Sequence, residues 1–423
     1  MTDAGAKLSL KAVGKQDEYI THSDISHSLF KYKPTQHTNF IKVHNRTNIN
    51  RPEGLSNWPF GNTVWVTMNP KYMGDLLSNM YIYMKFPKAN VAINLADQLG
   101  RHIIKSLKMR VDDLVVDTYH DDWGIIYDEL YLDASEKRTK RYTLNRNLAE
   151  DSSNSVVNKF FSQYDSELMI PIPLFFSRKY EGDEYASNKP NRPYFPVCAI
   201  HNQKITFEIE FHDQSFFTDY TEKMKLDSFD IITEEINVSN EERTFLMTNR
   251  NIFVSDFVMK HPSVVTESNT VHIELVPDIP VKSLHWFFRD PDATFLNRFN
   301  FSSNTTYSVV NSFFEPVMEN AKIYIKGEDI PNFNVATHSF YKYTIPFNNR
   351  LSRPNRNIYT YSFSMNPINV EPSGSLDFGQ LQSNKTKLEV KLVDGLTKPY
   401  DLVMYYVGYK TFVFDRGFMS LAY

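Results

Sequence analysis

A single cysteine, Cys198, in 423 residues leaves no partner for an intramolecular disulfide and too few thiolates for a four-cysteine zinc site. The expectation is a reducing compartment. No run of about 18 apolar residues is present to span a bilayer. Residues 1–16 carry no apolar core of the signal-peptide kind, so the sequence predicts a soluble chain assembled in the cytoplasm. Excess positive charge is also missing: 46 Lys and Arg stand against 50 Asp and Glu, for a net charge of -4 and a pI near 6.3. That balance is unlike a protein whose task is neutralising phosphate, and it argues against direct contact with nucleic acid. None of the 12 histidines forms H-x-H, the strand spacing that aims two imidazoles at one metal ion. Neither G-x-S-x-G nor G-x-x-x-x-G-K-[ST] occurs, which removes nucleophile-elbow hydrolysis and P-loop phosphate binding.

Aromatic and β-favouring residues are plentiful, with 32 Phe and 25 Tyr, while Pro clusters punctuate short alternating runs. The length suits two domains of about 200 residues each. In the first half, strands are expected at Thr63–Met68, Met80–Phe86, Ile103–Val116, Leu168–Phe176 and Lys204–Phe211. In the second half they are expected at Asn251–Met259, Val271–Val276, Val281–Phe288, Ala321–Ile325, Ile358–Phe363, Lys387–Leu392 and Asp401–Phe414. Ile205, Phe207, Ile209 and Phe211 alternate with Thr206, Glu208 and Glu210, the pattern of a strand with one buried and one wet face. Acidic and polar residues are dense from Thr218 to Arg243, and Glu241–Phe245 reads as a short helical turn. The division expected is therefore an arm at 1–24, a first domain at 25–217, a junction at 218–245 and a second domain at 246–423.

The most specific stretch runs from Asn357 to Phe378. Tyr359, Tyr361 and Phe363 alternate with small polar residues; Pro372-Ser373-Gly374 then supplies turn chemistry before Leu376 and Phe378. This order resembles the signature of the major capsid proteins of nucleocytoplasmic large DNA viruses. Other segments resemble that family in the same order along the chain. They are Gly14-Lys-Gln-Asp17 with His37-Thr-Asn-Phe40, Ile104-Lys-Ser-Leu107, Asp122-Trp123 through Glu129-Leu130, and Pro171-Ile-Pro173-Leu-Phe-Phe176. Glu242-Arg243-x-Phe245, Pro280 through Trp286, Ala321 through Gly327, and Leu421-Ala422-Tyr423 come after them. Departures include Ser177 for a cysteine, Val370-Glu-Pro for H-Q-P and Leu376-Asp-Phe for C-N-F.

The resemblance implies an all-β protein of two consecutive eight-stranded antiparallel jelly rolls with short helical insertions. It implies a structural role in the virion: homotrimers that place six rolls in a pseudo-hexagonal capsomer, and capsomers that tile an icosahedral shell. Partners would then be other copies of the chain, neighbouring capsomers and minor capsid proteins, with an inner membrane possible beneath the shell. A minor or scaffold-like shell component is the alternative reading, and a jelly-roll enzyme or carbohydrate-binding module a more distant one. The residues carrying the signature are Trp123, Pro171, Pro173, Trp286, Tyr359, Tyr361, Phe363, Pro372, Ser373, Gly374 and Phe378.

No catalytic, metal-ligating or cofactor-binding residue is assigned. His120-Asp121-Asp122, with Asp117 just before, is the strongest candidate cluster, and it reads as a solvated turn after a strand. Cys198 reads as a buried small hydrophobe in a strand, and the basic run Glu136–Arg141 as a solvated surface. Trp286 and Phe207 are expected in the core. Aromatics in the long connections 180–194 and 287–301 are expected to make contacts between molecules.

Overall fold

The computed structural model describes residues 39–54, 57–87, 94–96, 98–137, 139, 158–159, 167–178, 194–295, 297–303, 315–330, 336–369, 371–381 and 385–422. The alternating run at 205–211 is a strand, with Ile205, Phe207, Ile209 and Phe211 all buried. It belongs to a first group made of β1 (Ile41–Asn48), β2 (Thr63–Met68), β3 (Leu76–Lys85), β4 (Ile104–Val111), β5 (Leu114–His120), β6 (Glu167–Pro171), β7 (Ile205–Phe211) and β8 (Ser228–Asn237). Two antiparallel sheets result, in the orders β1-β8-β3-β6 and β2-β7-β4-β5.

The second group is β9 (Asn251–Lys260), β10 (Thr270–Glu274), β11 (Pro280–Arg289), β12 (Met318–Ile325), β13 (Glu328–Ile330), β14 (Tyr359–Ser362), β15 (Lys387–Leu392) and β16 (Asp401–Asp415). Its sheets run β9-β16-β11-β14 and β10-β15-β12-β13. Counted from its own first strand, each half therefore repeats the path 1-8-3-6 facing 2-7-4-5. That is the jelly-roll path, used twice. Short strands such as Phe195–Pro196, Leu376–Asp377 and Phe418–Leu421 pair at the margins of these sheets. Among the helices of the described residues that interrupt the strand order are α1 (Leu99–Ile103), α2 (Asp121–Leu130) and α3 (Asn240–Thr248).

The structure departs from the expected elements and boundaries in four places. Ile103–Val116 is not one strand: Asp112, at φ +49, turns the chain between β4 and β5, and aspartate tolerates that left-handed conformation better than most residues. Leu168–Phe176 stops being a strand at Pro171, because Pro171 and Pro173 have no N–H to give a ladder; Phe175 and Phe176 are buried in the turn beyond it. The supposed junction 218–245 contains β8, which pairs with both β1 and β3 inside the first roll. Its carboxylates do not mark a linker because they are partnered: Asp230 takes Arg46 at 2.6 Å and Asn48 at 2.8 Å, and Glu235 takes the Gly74 N–H at 2.6 Å. The crossing between rolls is α3, capped by Ser239, whose hydroxyl accepts the Glu242 N–H at 3.3 Å. Finally, Cys198 is buried in a 3-10 turn, Val197–Ile200, rather than a strand, and burial pushes its thiol up to about 11.

Residues 41–423 pack as one compact unit. The reason is visible in β16. Leu402, Met404 and Tyr406 point into the core of the second roll, while Val403, Tyr405 and Val407 join the apolar cluster of the first roll. Buried on both faces from Leu402 to Tyr409, β16 reads there as a continuous apolar run, Gly408 apart, instead of an alternation. Gly408 sits where β16 meets the bulge in β11, and a Cβ there would collide with the Pro280 carbonyl.

Candidate functional site

The contact between the rolls is built around α2. All ten of its residues are buried, four of them carboxylates, so each charge needs a partner or would cost several kcal/mol. Every one has it. Asp122 receives the Arg289 guanidinium on one oxygen and Lys260 Nζ at 3.2 Å on the other. Asp121 lies 3.0 Å from His212 Nε2, with Arg298 at 4.0 Å. Against the upward push of burial, His212 and the charges of Arg289 and Arg298 hold the Asp121 carboxyl below the usual carboxylate range. Asp128 takes Arg101 on both oxygens, at 2.9 and 3.1 Å. Glu129 accepts from Arg356 Nε at 3.3 Å and from the Asn355 N–H at 2.8 Å. Lys260, Arg289, Arg298, Asn355 and Arg356 all belong to the second roll, so the acidic helix of the first roll is clasped by bases of the second. The first two carboxylates also lie at the positive end of the helix dipole.

Trp123, next to Asp122, fills the centre of this seam. Its ring centroid is 5.8 Å from both His285 and Tyr405 and 6.2 Å from Tyr131. The Arg178 guanidinium lies 6.0 Å from its ring and reaches Asp117 at 2.7 Å; Asp117 also accepts the Phe175 N–H at 2.8 Å. Pro171 and Pro173 contribute through their carbonyls, which accept from Arg101 at 3.0 Å and from Arg178 at 2.9 Å. The cluster His120-Asp121-Asp122 is thus a buried ionic clasp at a helix start and not the solvated turn expected. Among the described residues no group of three or more His, Cys, Asp or Glu is arranged to hold a metal ion.

The other signature residues lie inside the second roll. Trp286 packs against Tyr341 at 5.1 Å and Tyr359 at 5.9 Å; Tyr361 meets Phe363 at 5.2 Å, and Phe363 meets Phe378 at 5.6 Å. Together they form a continuous aromatic core beneath β11 and β14. The aromatics expected to face other molecules between 287 and 301 are also internal: Phe287, Phe299 and Phe301 are buried, and Phe287 stacks on Phe301 at 3.9 Å. The stretch 180–193 lies outside the described residues, as do Arg138, Lys140 and Arg141 of the basic run.

Pro372-Ser373-Gly374 forms an exposed turn apart from both clusters. Ser373 Oγ accepts the Asn366 N–H and donates to the Asn366 carbonyl, both at 2.9 Å, and Gly374 has φ +123. A Cβ at Gly374 would have room, its nearest neighbours standing at 3.6 Å. The cost of a side chain is therefore backbone strain, about 1–2 kcal/mol. Gly374→Val and Gly374→Ala should both lower the melting temperature by a few degrees and by similar amounts. If neither moves it, the turn is permissive.

Two family models match the chain. Residues 28–245 match the major capsid protein N-terminus, and residues 241–402 match the large eukaryotic DNA virus major capsid protein, the two meeting within α3. The major capsid protein of Pyramimonas orientalis virus is 20% identical over 99% of both chains. That of Paramecium bursaria Chlorella virus 1 is 21% identical over 92% of this chain and 88% of the relative. In fold, a chain of the PBCV-1 virus capsid superposes with a TM-score of 0.74 at 17% identity, covering 94% of this chain and all of that one. The Faustovirus major capsid protein gives 0.65 at 10% identity, covering 97% and 98%. With over half the chain matched by one model and most of the remainder by the other, the chain belongs to the family of major capsid proteins of large eukaryotic DNA viruses.

Proposed function

We propose that three copies of this structural capsid protein close into a capsomer of six rolls with a near-hexagonal outline, and that these capsomers tile an icosahedral shell. The observation that supports this best is the pairing of two rolls of one topology, locked into a single unit by the buried α2 clasp. A threefold object with a near-sixfold outline can fill a lattice while every chain makes the same head-to-tail contacts. Neighbouring capsomers and minor capsid proteins are the remaining partners, and the chain has no catalytic role. Its near balance of 46 basic and 50 acidic residues suits contact between proteins better than contact with a genome.

Light scattering of the purified protein at micromolar concentration should return three times the 49.4 kDa chain mass. Obligate contacts of this type bury on the order of 2,000 Å² or more. A chain that stays monomeric in near-physiological buffer would favour a minor shell component over a self-assembling capsomer.

A further inference from the structure

Within the chain, the helix between the fifth and sixth strands of the first roll, α2, covers the outer face of the second roll's sheet β9-β16-β11-β14, with Trp123 against His285 and Tyr405. The second roll has its own helical segment at the corresponding place, between β13 and β14: a π turn, Phe340–Thr344, running into a helical turn, Ile345–Asn348. Among the described residues this segment is not covered in the same way, and Phe347 on it is 82% exposed. The first roll likewise has an outer sheet face, β1-β8-β3-β6, that corresponds to the covered one. Met169 of β6 is 38% exposed on that face, beside Tyr83 of β3, and the Arg46 side chain of β1 is 58% exposed.

We propose that these two surfaces bind each other between copies: the segment Phe340–Asn348 of one chain seats on the β1-β8-β3-β6 face of the next. The occupant is a second copy because the two surfaces that already meet inside the chain are their topological counterparts. One contact of this type is satisfied within the chain, and among the described residues its equivalent is left open at each end. Exposed apolar side chains, Phe347 on one side and Met169 on the other, are what such a contact would cover. Residues 336–350 hold no acidic side chain, whereas α2 is acidic; of their three basic ones Lys342 is buried on Asn357, and His338 and Arg350 lie towards the surface. On the receiving face Glu167 is the accessible carboxylate, 36% exposed beside Lys85, while Asp230 and Glu234 are buried and paired with Arg46 and Lys42. The contact is head-to-tail, so each chain offers one helical segment and one sheet face.

The inference rests on the trimer reading, and native mass separates the two. Wild-type protein is measured first, then Phe347→Asp and Met169→Glu, each checked for a wild-type-like circular dichroism spectrum and a cooperative melt. The trimer is expected in the wild type, and each variant alone should run as a monomer of 49.4 kDa. Mixed in equal amounts, the variants should form a two-chain species and stop there. The intact helical segment of the Met169→Glu chain can seat on the intact face of the Phe347→Asp chain, but the reverse contact is broken. A folded variant that still forms trimers, or folded variants that stay monomeric when mixed, overturns the proposed contact while leaving the trimer reading intact. A monomeric wild type overturns both.

Discussion

Asp122→Ala should cost about 3–5 kcal/mol, the range for removing one partner of a buried ion pair. The carboxylate is 1% exposed and holds two bases of the other roll, Arg289 and Lys260. Without it the Arg289 guanidinium, itself 10% exposed, keeps its charge in the seam, where the nearby Asp121 is already taken by His212 and Arg298. Lys260 suffers less, because at 30% exposure it can turn to water. Lys391 and Glu319 make a good control. They are only 2.6 Å apart, yet both are 44% exposed, so Glu319→Ala should cost no more than about 1 kcal/mol. Urea unfolding of the two variants checks the contrast. Equal midpoints would mean that α2 does not hold the rolls together.

Strands with one wet face were legible from alternation alone, as β2, β7 and β15 show; β16 was legible as an unbroken apolar run. β1 and β8 were not. β1 is an edge strand with polar residues on both faces, and β8 has acidic residues that read as surface until their partners, nearly two hundred positions earlier, are known. The clasp was half legible. Asp122-Trp123 through Glu129-Leu130 stood out as a family pattern, but no periodicity says that Asp122 meets Arg289 or that Glu129 meets Arg356. Pairings across 167 and 227 positions are set by how the rolls dock, and local sequence does not encode that. The aromatics around Phe287 were read as outward-facing for the same reason. They do face out of their own roll, and the other roll is what covers them.

Acid should unfold this protein well above the pH at which carboxylates alone titrate. His285 is wholly buried between Thr360 Oγ1 at 3.0 Å and Ser283 Oγ at 3.1 Å, with the Tyr131 hydroxyl at 3.4 Å. Burial, aided by the charge of Lys282, pushes its pKa down from 6.5 to about 3. His102 is buried against Phe299 at 4.2 Å, and burial likewise takes it to about 3. There the Gln98 carbonyl and Asp121 pull upward, while Arg298 and Arg356 push down. Both groups have folded pKa values below their unfolded ones. Between about pH 6.5 and pH 3 the unfolded chain therefore takes up protons that the folded chain refuses, and stability falls as pH falls. Two pH units below 6.5, each histidine costs about 2.7 kcal/mol, so the pair approaches about 5 kcal/mol. Asp121, held below its usual range, adds a loss near pH 4 and under; Asp117, raised chiefly by burial, offsets part of it. The melting temperature should drop by several degrees or more from pH 7.5 to 4.5. His120, which burial and then the charge of Lys260 take down to about 4, adds a similar share, so His285→Gln, which cannot be protonated, should shallow that slope by about a third, whatever it does to stability at pH 7.5. A melting temperature flat across this range would show that the seam admits the charged imidazoles, and that its arginines and lysines do not exclude a further positive charge.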